Sequence, residues 1–149
     1  MSKTTAFWDA SALVPLCVNE ASSRQAQSFL RRFAPVVWWG SPVEVASAIF
    51  RLGRAGELTA AGMQGALARL HLLSQGWREI LPDRQLRDTA IRSLEAHSLR
   101  AADSLQLAAS LVWCDHRPSR RHFICADQRL TLAAKSAGFT LMQLSITAQ

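Results

Sequence analysis

The segment 4–13, TTAFWDASAL, constrains the fold of this chain more than any other stretch. A short apolar run ends on one carboxylate, Asp9, and small residues then lead into a second apolar segment. An apolar run of this length with polar residues at both ends is typical of a buried strand in a parallel sheet. Asp9 should therefore lie at the carboxyl end of a strand, where open α/β sheets place their ligand sites.

The rest of the chain alternates between apolar runs and helical periodicity. Further strands are predicted at about 36–39, 77–81, 122–126 and 140–144, and helices at about 13–17, 20–33, 41–55, 59–75, 83–97, 101–114 and 127–138. Strands that alternate with helices imply a parallel sheet covered by helices on both faces. We therefore expect one three-layer α/β/α domain over 1–149, with a mainly parallel sheet of about five short strands.

Composition sets outer limits on what the chain can be. Its 149 residues, 49% of them hydrophobic, suffice for one core without disulfides, and Cys17, Cys114 and Cys125 are typical of small buried hydrophobes. The net charge is +6, with fifteen Arg against two Lys, which permits nucleic-acid binding without establishing it. No run approaches the ~20 apolar residues of a membrane span. The first residues show no signal-peptide pattern, so we expect a cytoplasmic protein.

Three later acids, Glu44, Asp103 and Asp127, also stand where elements begin or end beside apolar sequence. Each acid has a purely structural alternative. Asp9 and Asp127 could cap the helices that follow them, and Glu44 fits a capping box with Ser41 as the N-cap. Asp103 gains from the dipole in the first turn of its helix. That helix is apolar nearly all round, however, and a buried charge needs a partner or a metal.

An α/β fold can bring two strand ends and two helix starts to one rim of its sheet. We therefore expect Asp9, Glu44, Asp103 and Asp127 to form one acidic pocket. Carboxylates held close together raise one another's pKa unless a cation neutralises them. Oxygen ligands of this kind suit Mg²⁺ or Mn²⁺. Such an ion lowers the pKa of a bound water and stabilises charge on a phosphoryl oxygen.

The order and surroundings of these acids resemble the PIN-domain nucleases, and within them the VapC-type toxins of bacterial toxin–antitoxin pairs. The matching segments are FWDASAL at 7–13, SPVEVASA at 41–48, RAADSLQLA at 100–108 and ICAD at 124–127. The resemblance spans essentially the whole chain. Three positions depart from it: Trp8 stands where a smaller aliphatic is more usual, Ala10 where a hydroxyl residue is common, and Cys125 where Thr or Ser often occurs.

The resemblance implies a Mg²⁺- or Mn²⁺-dependent endoribonuclease toxin in which water attacks an RNA phosphodiester. Asp9, Glu44, Asp103 and Asp127 would be its catalytic and metal-binding acids. Ser11 would match the small hydroxyl residue near the first acid. The resemblance also implies inhibition by a small VapB-type antitoxin protein, and commonly a homodimer.

Arginines near the acids are candidates for substrate binding. Arg100 and Arg129 lie two or three residues from an acid and could hold a phosphate, which with Ser11 completes the predicted substrate-binding set. Arg51 and Arg54 could flank the same groove. The alternative is that all four are surface arginines on solvated helix faces. The basic run 116–122 precedes a strand and should lie at the opposite edge of the sheet.

Two other functions remain open at this stage. The first is a non-catalytic, PIN-like regulatory module in which the acids cap helices and arginines hold RNA or a protein partner. Binding of Mn²⁺ that depends on Asp9 would exclude it. The second is a phospho-acceptor receiver domain, whose pattern expects paired acids after the first strand and a late lysine. Only Lys135, within a helix, is available.

Overall fold

A computed structural model describes residues 3–145 of the protein, and its centre is an all-parallel sheet of five strands. The strands are β1 (Thr4–Trp8), β2 (Phe33–Trp38), β3 (Arg78–Ile80), β4 (His122–Cys125) and β5 (Thr140–Gln143). They lie in the order β3-β2-β1-β4-β5, and each neighbouring pair is parallel. All carboxyl ends therefore meet at one edge of the sheet. The α/β class predicted from the sequence is confirmed.

Seven helices within residues 3–145 cover the two faces of this sheet. They are α1 (Ala10–Cys17), α2 (Ser23–Arg32), α3 (Ser41–Arg54), α4 (Ala60–Ser74), α5 (Arg84–Ala96), α6 (Ala101–Trp113) and α7 (Gln128–Ala137). Side chains alternate between the faces of a strand, so Trp8 packs with the core formed by α1–α4 and Phe7 with the core formed by α5–α7. None of the helices in this part of the chain is long and apolar enough to cross a membrane.

Several helix ends fall where the local sequence predicts them. The Asp83 carboxylate accepts a hydrogen bond from the Leu86 amide at 2.8 Å, and the Thr59 hydroxyl accepts one from Gly62 at 3.0 Å. Both are N-cap contacts, which satisfy amides that have no partner inside a helix. Gly138 ends α7 with a φ of 116°, a left-handed conformation that glycine adopts without a steric penalty.

The predicted helix 20–33 is wrong at both ends. The helix α2 begins at Ser23, and Phe33 is already the first residue of β2. Phe33 pairs with Thr4 of β1 and is buried, so sheet pairing and burial together draw it out of the helix. The helix after β1 also begins earlier than predicted, at Ala10, and it contains Pro15.

The predicted capping box at the start of α3 is also wrong. The N-cap residue is Gly40, Ser41 is already helical, and no side chain caps this end. The Ser41 hydroxyl is fully buried and accepts a hydrogen bond from Gln106 Nε2 at 3.0 Å. The hydroxyl has therefore found its partner on another helix, where a local pattern cannot anticipate it.

Replacing Phe123 by alanine tests the core between β1, β4 and the helices over them. The Phe123 ring is fully buried, with its centroid 5.3 Å from those of Phe7 and Phe139. We expect Phe123→Ala to lower the free energy of unfolding by about 3–5 kcal/mol, measured by urea denaturation. The control Leu72→Ala, at a side chain that is 73% exposed, should change it by less than about 0.5 kcal/mol. Equal effects would contradict this core.

Candidate active site

The four predicted acids lie at the carboxyl edge of the sheet. Asp9 follows β1 directly and Asp127 follows the neighbouring strand β4, while Glu44 and Asp103 occupy the first turns of α3 and α6. Glu44, Asp103 and Asp127 line one open cleft of about 660 Å³. Asp9 is only 4% exposed and does not line the cleft, but its charge raises the pKa of Glu44, and the charge of Asp127 raises the pKa of Asp9. The fold thus brings the four acids to one side of the molecule.

The Ser11 hydroxyl ties the two central strand ends together. It donates to Asp9 Oδ2, and it accepts from the backbone amides of Ala126 at 2.9 Å and Asp127 at 3.2 Å. A serine hydroxyl has one hydrogen to donate and two lone pairs, so these contacts use its whole capacity. Its contacts favour a role in positioning Asp9 and the loop before α7 over direct contact with a substrate.

The Cys125 thiol completes the surroundings of Asp9. It is fully buried and lies 3.5 Å from Asp9 Oδ2 and 3.3 Å from the carbonyl oxygen of Asp127. Burial raises the pKa of this thiol well above its usual range, so it stays protonated and acts as a weak donor. All three cysteines are free and buried, as the sequence predicts.

Each of the four carboxylates is held through one oxygen only. Asp9 Oδ2 accepts from Ser11 and Cys125, and Glu44 Oε2 accepts from Gln106 at 2.7 Å. Asp103 Oδ2 accepts from the Arg100 amide at 3.3 Å, and Asp127 Oδ1 from the Leu130 amide at 3.0 Å. The second oxygen of each makes no hydrogen bond to any residue of 3–145. Four carboxylates are therefore oriented, and each keeps one oxygen for another ligand.

The four acids lie near one another, but their side chains do not converge on one point as the ligands of a metal ion do. Among residues 3–145, no three side chains of His, Cys, Asp or Glu converge closely enough to hold a metal ion. Mutual repulsion gives a physical reason, because the charges of Asp9 and Asp103 act on Glu44, and that of Asp127 acts on Asp9 and Asp103. Metal binding by the four stays a prediction.

Burial and repulsion raise the pKa of three of these carboxyl groups, those of Asp9, Glu44 and Asp103. Loss of hydration raises the pKa of Asp9 to about 6, against the opposing effect of its hydrogen bonds from Ser11 and Cys125. Loss of hydration also raises the pKa of Glu44 to about 7, opposed by the Gln106 amide and reinforced by Asp9 and Asp103. The pKa of Asp103 is raised for the same first reason.

Three arginines share the cleft with the acids. Arg51, Arg100 and Arg129 line its wall, and the charges of Arg100 and Arg129 both lower the pKa of Asp103. Arg54 does not line this cleft, so of the two candidates on α3 it is Arg51 that lies beside the acids. The basic run 116–122 enters β4 at its amino end, whereas Asp127 follows the carboxyl end of that strand.

Gln106 is the site residue that sequence reasoning missed. It lies on α6, one turn after Asp103, and its fully buried amide contacts Ser41 and Glu44 of α3. An uncharged polar residue inside an otherwise apolar helix, three positions after an acid, is the signal that could have found it. Gln128 and Ala102 also line the cleft.

Three solved structures share the fold of this chain. That fold is of the α/β class, with an all-parallel, five-stranded sheet. A chain of the "Toxin-antitoxin complex from Klebsiella pneumoniae" matches with a TM-score of 0.60 and 12% identity, over 84% of this chain and 88% of that one. PAE2754 from Pyrobaculum aerophilum matches with a TM-score of 0.64 and 17% identity, over 93% and 89%.

A third solved structure, FitAcB from Neisseria gonorrhoeae, matches with a TM-score of 0.61 and 13% identity, over 91% of this chain and 97% of that one. At these identities the likeness shows the fold alone. Neither a protein-family model nor a curated protein sequence matches the chain.

Replacing Ser11 by alanine tests the link between the two strand ends. The change leaves the amides of Ala126 and Asp127 without their acceptor, and each such loss costs about 1–3 kcal/mol when the amide is kept from water. We expect Ser11→Ala to lower the free energy of unfolding by roughly 2 kcal/mol in urea denaturation with EDTA. Ser47→Ala, at an exposed serine of α3, is the matched control and should leave the midpoint unchanged.

The pH dependence of stability without metal tests the burial of Asp9. Because its folded pKa is about 6 against an ordinary 3.8, the folded state binds this proton more tightly than the unfolded state. Stability must then fall as pH rises from about 4 to 6, by roughly 2–3 kcal/mol at most from this group. Asp9→Asn removes that titration, so its urea midpoint in EDTA should fall less over this range. Parallel curves for the two proteins would contradict the burial of this carboxylate.

Proposed function

We propose that this protein is a metal-dependent endoribonuclease that acts as a toxin and is restrained by a cognate antitoxin protein. The observation that carries the proposal is the set of four carboxylates at one edge of the sheet, three of which line one cleft. Each is held by one oxygen, and the second oxygen of each makes no hydrogen bond to any residue of 3–145. Helix capping alone would explain the anchored oxygens of Asp9, Asp103 and Asp127. It would not explain why Glu44, which caps no helix, is held half-buried beside other acids.

The donor set fits a hard divalent cation. Asp9, Glu44, Asp103 and Asp127 would hold Mg²⁺ or Mn²⁺ through oxygen, which both ions prefer. Burial raises the pKa of Asp9 and of Glu44, and neighbouring acids add to this effect; a bound cation would stabilise the charged form of both carboxylates. When bound, the ion supplies a water of lowered pKa and stabilises charge on a phosphoryl oxygen.

The chain's own residues would bind the substrate and orient the water and the metal-binding acids. Arg51, Arg100 and Arg129 give the cleft wall positive charge beside its acids, which suits a phosphodiester anion next to a cation site. The Glu44 oxygen that Gln106 leaves free would accept a hydrogen bond from water and orient it. Ser11 and Cys125 would keep Asp9 oriented while substrate enters. RNA, rather than another phosphodiester, is proposed from the resemblance to the PIN-domain toxins.

The antitoxin partner also belongs to the proposal. It rests on the resemblance and on the shared fold with a chain of a toxin–antitoxin complex from Klebsiella pneumoniae. A small VapB-type protein would bind this chain and block its cleft. We also propose a homodimer on the ground of the resemblance, which sedimentation of the purified protein would test.

Cleavage of total cellular RNA by purified protein tests the activity. We expect products with Mg²⁺ or Mn²⁺ and none with EDTA. Asp9→Asn and Asp103→Asn should each reduce the rate by more than about 100-fold, because loss of a ligand should exceed the 10–100-fold typical of residues behind the ligands. Asp88→Asn, at an exposed acid of α5, is the matched control and should cleave normally. Full activity in both site variants would exclude the assigned site.

A non-catalytic binding module is the second candidate. It is favoured by one observation: within residues 3–145 no three candidate ligands converge closely enough to hold a metal. Calorimetric titration with Mn²⁺ separates the two candidates. The nuclease requires binding that Asp9→Asn weakens, whereas the module predicts no binding that depends on Asp9.

A further inference from the structure

Gln106 of α6 holds Glu44 of α3 by a side-chain hydrogen bond between two helices that are far apart in the sequence. Its Nε2 donates to Glu44 Oε2 at 2.7 Å and lies 3.0 Å from Ser41 Oγ. Asp9 is held by Ser11 at the start of α1 and by the Cys125 thiol of β4. Asp127 is held from the start of α7, and Asp103 by the amide three residues before it. Glu44 alone depends on a helix far away in the sequence.

The geometry joins two pairs of residues with the same spacing. Asp103 and Gln106 are three apart on α6, and Ser41 and Glu44 are three apart on α3, so each pair occupies one helix face. The helix α3 contributes Val45 and Ile49 to one core, whereas α6 contributes Leu107 and Ala108 to the core on the other face of the sheet. The Gln106 amide therefore connects the two helical layers directly beside the acids.

Packing alone does not account for a glutamine at this place. The residue is fully buried, and its Oε1 has no hydrogen-bond partner in the part of the chain that the structure describes. A buried amide oxygen without a partner costs stability, and a leucine or methionine of similar volume would fill the space without that cost. A buried glutamine whose oxygen has no partner costs stability, and that cost indicates a use for its donor group.

The donor acts against a definite force. The charges of Asp9 and Asp103 both repel Glu44, and repulsion between like charges favours rotation of a glutamate side chain away toward solvent. A neutral amide that donates to one carboxylate oxygen holds the side chain in place without adding charge to the cleft. It also decides which oxygen stays available, because Oε2 accepts from Gln106, whereas Oε1 makes no hydrogen bond to any residue of 3–145.

We propose that Gln106 is a positioning residue that holds Glu44 in the cleft by Oε2 and so presents Glu44 Oε1 to a divalent cation or its water. The inference rests on the proposed function, which gives the free oxygen its ligand. Gln106 touches neither substrate nor cation in this scheme, and its whole effect passes through Glu44.

Two substitutions at this position and one control test the proposal. Gln106→Met keeps the volume and removes the amide, and Gln106→Asn keeps the amide but shortens it beyond reach of Glu44. Ser41→Ala removes the other contact of Nε2 and leaves the contact with Glu44 intact, so it reports a purely structural role of the link between the layers.

We expect both Gln106 variants to weaken Mn²⁺ binding in calorimetry by about 10–100-fold, the usual effect of losing a residue that orients a metal ligand. The cleavage rate should fall through kcat, with KM little changed, and Ser41→Ala should bind Mn²⁺ like the wild type. In a Glu44→Gln background, Gln106→Met should weaken Mn²⁺ binding no further. Wild-type Mn²⁺ affinity and kcat in both Gln106 variants would overturn the proposal and leave the nuclease standing.

A measurement without metal separates failure of this inference from failure of the proposed function. If the wild type neither binds Mn²⁺ nor cleaves RNA, the proposed function falls, and thermal unfolding in EDTA then decides about Gln106. The Tm shift of the double variant Gln106→Met, Glu44→Ala should be smaller than the sum of the two single-variant shifts, because both substitutions remove the same contact. Additive shifts would overturn the proposal.

Discussion

The pairing of β1 with β4 is the constraint on which the candidate site depends. The strands β2 and β3 follow β1 in sequence and lie on one side of it, whereas β4 and β5 lie on its other side. The helices before β3 cover one face of the sheet, and those after β3 cover the other. A parallel sheet whose strand order reverses in this way opens a crevice at the reversal, beyond the carboxyl ends of the strands. Asp9 and Asp127 stand on its two sides because they follow β1 and β4.

The burial of the acids and of Gln106 costs stability in this part of the molecule. Burial keeps water from the carboxyl groups of Asp9 and Glu44 and raises their pKa, because the protein alone stabilises their charged forms less well than water does. Cys125 gives Asp9 only a thiol donor at 3.5 Å, where a hydroxyl would donate more strongly. Gln106 keeps a buried oxygen without a partner among the described residues. Local cost of this kind is typical of functional sites and accords with the proposed function.

Much of the fold could be predicted because its signals are local. The apolar runs gave all five strands within a few residues, and Thr59, Asp83 and Gly138 mark helix ends through contacts that span three or four residues. The failures have the opposite character. Phe33, predicted to be helical, belongs to β2 because it pairs with Thr4 in the sheet. Ser41, predicted to cap α3, instead accepts a hydrogen bond from Gln106, which is 65 positions away in the sequence.

The sequence by itself determined which residues stand at the ends of the elements. Asp9, Glu44, Asp103 and Asp127 could be named from the chain because each follows an apolar run or starts a helix, and such patterns are written in a few consecutive residues. Only the tertiary structure decided how each carboxylate is held, which of its oxygens is left free, and that three of the four line the same cleft. The Ser11 and Gln106 contacts join residues 115 and 62 positions apart. Such contacts exist only once the two helical layers have packed on the sheet, because packing alone sets the distance between residues so far apart in the chain.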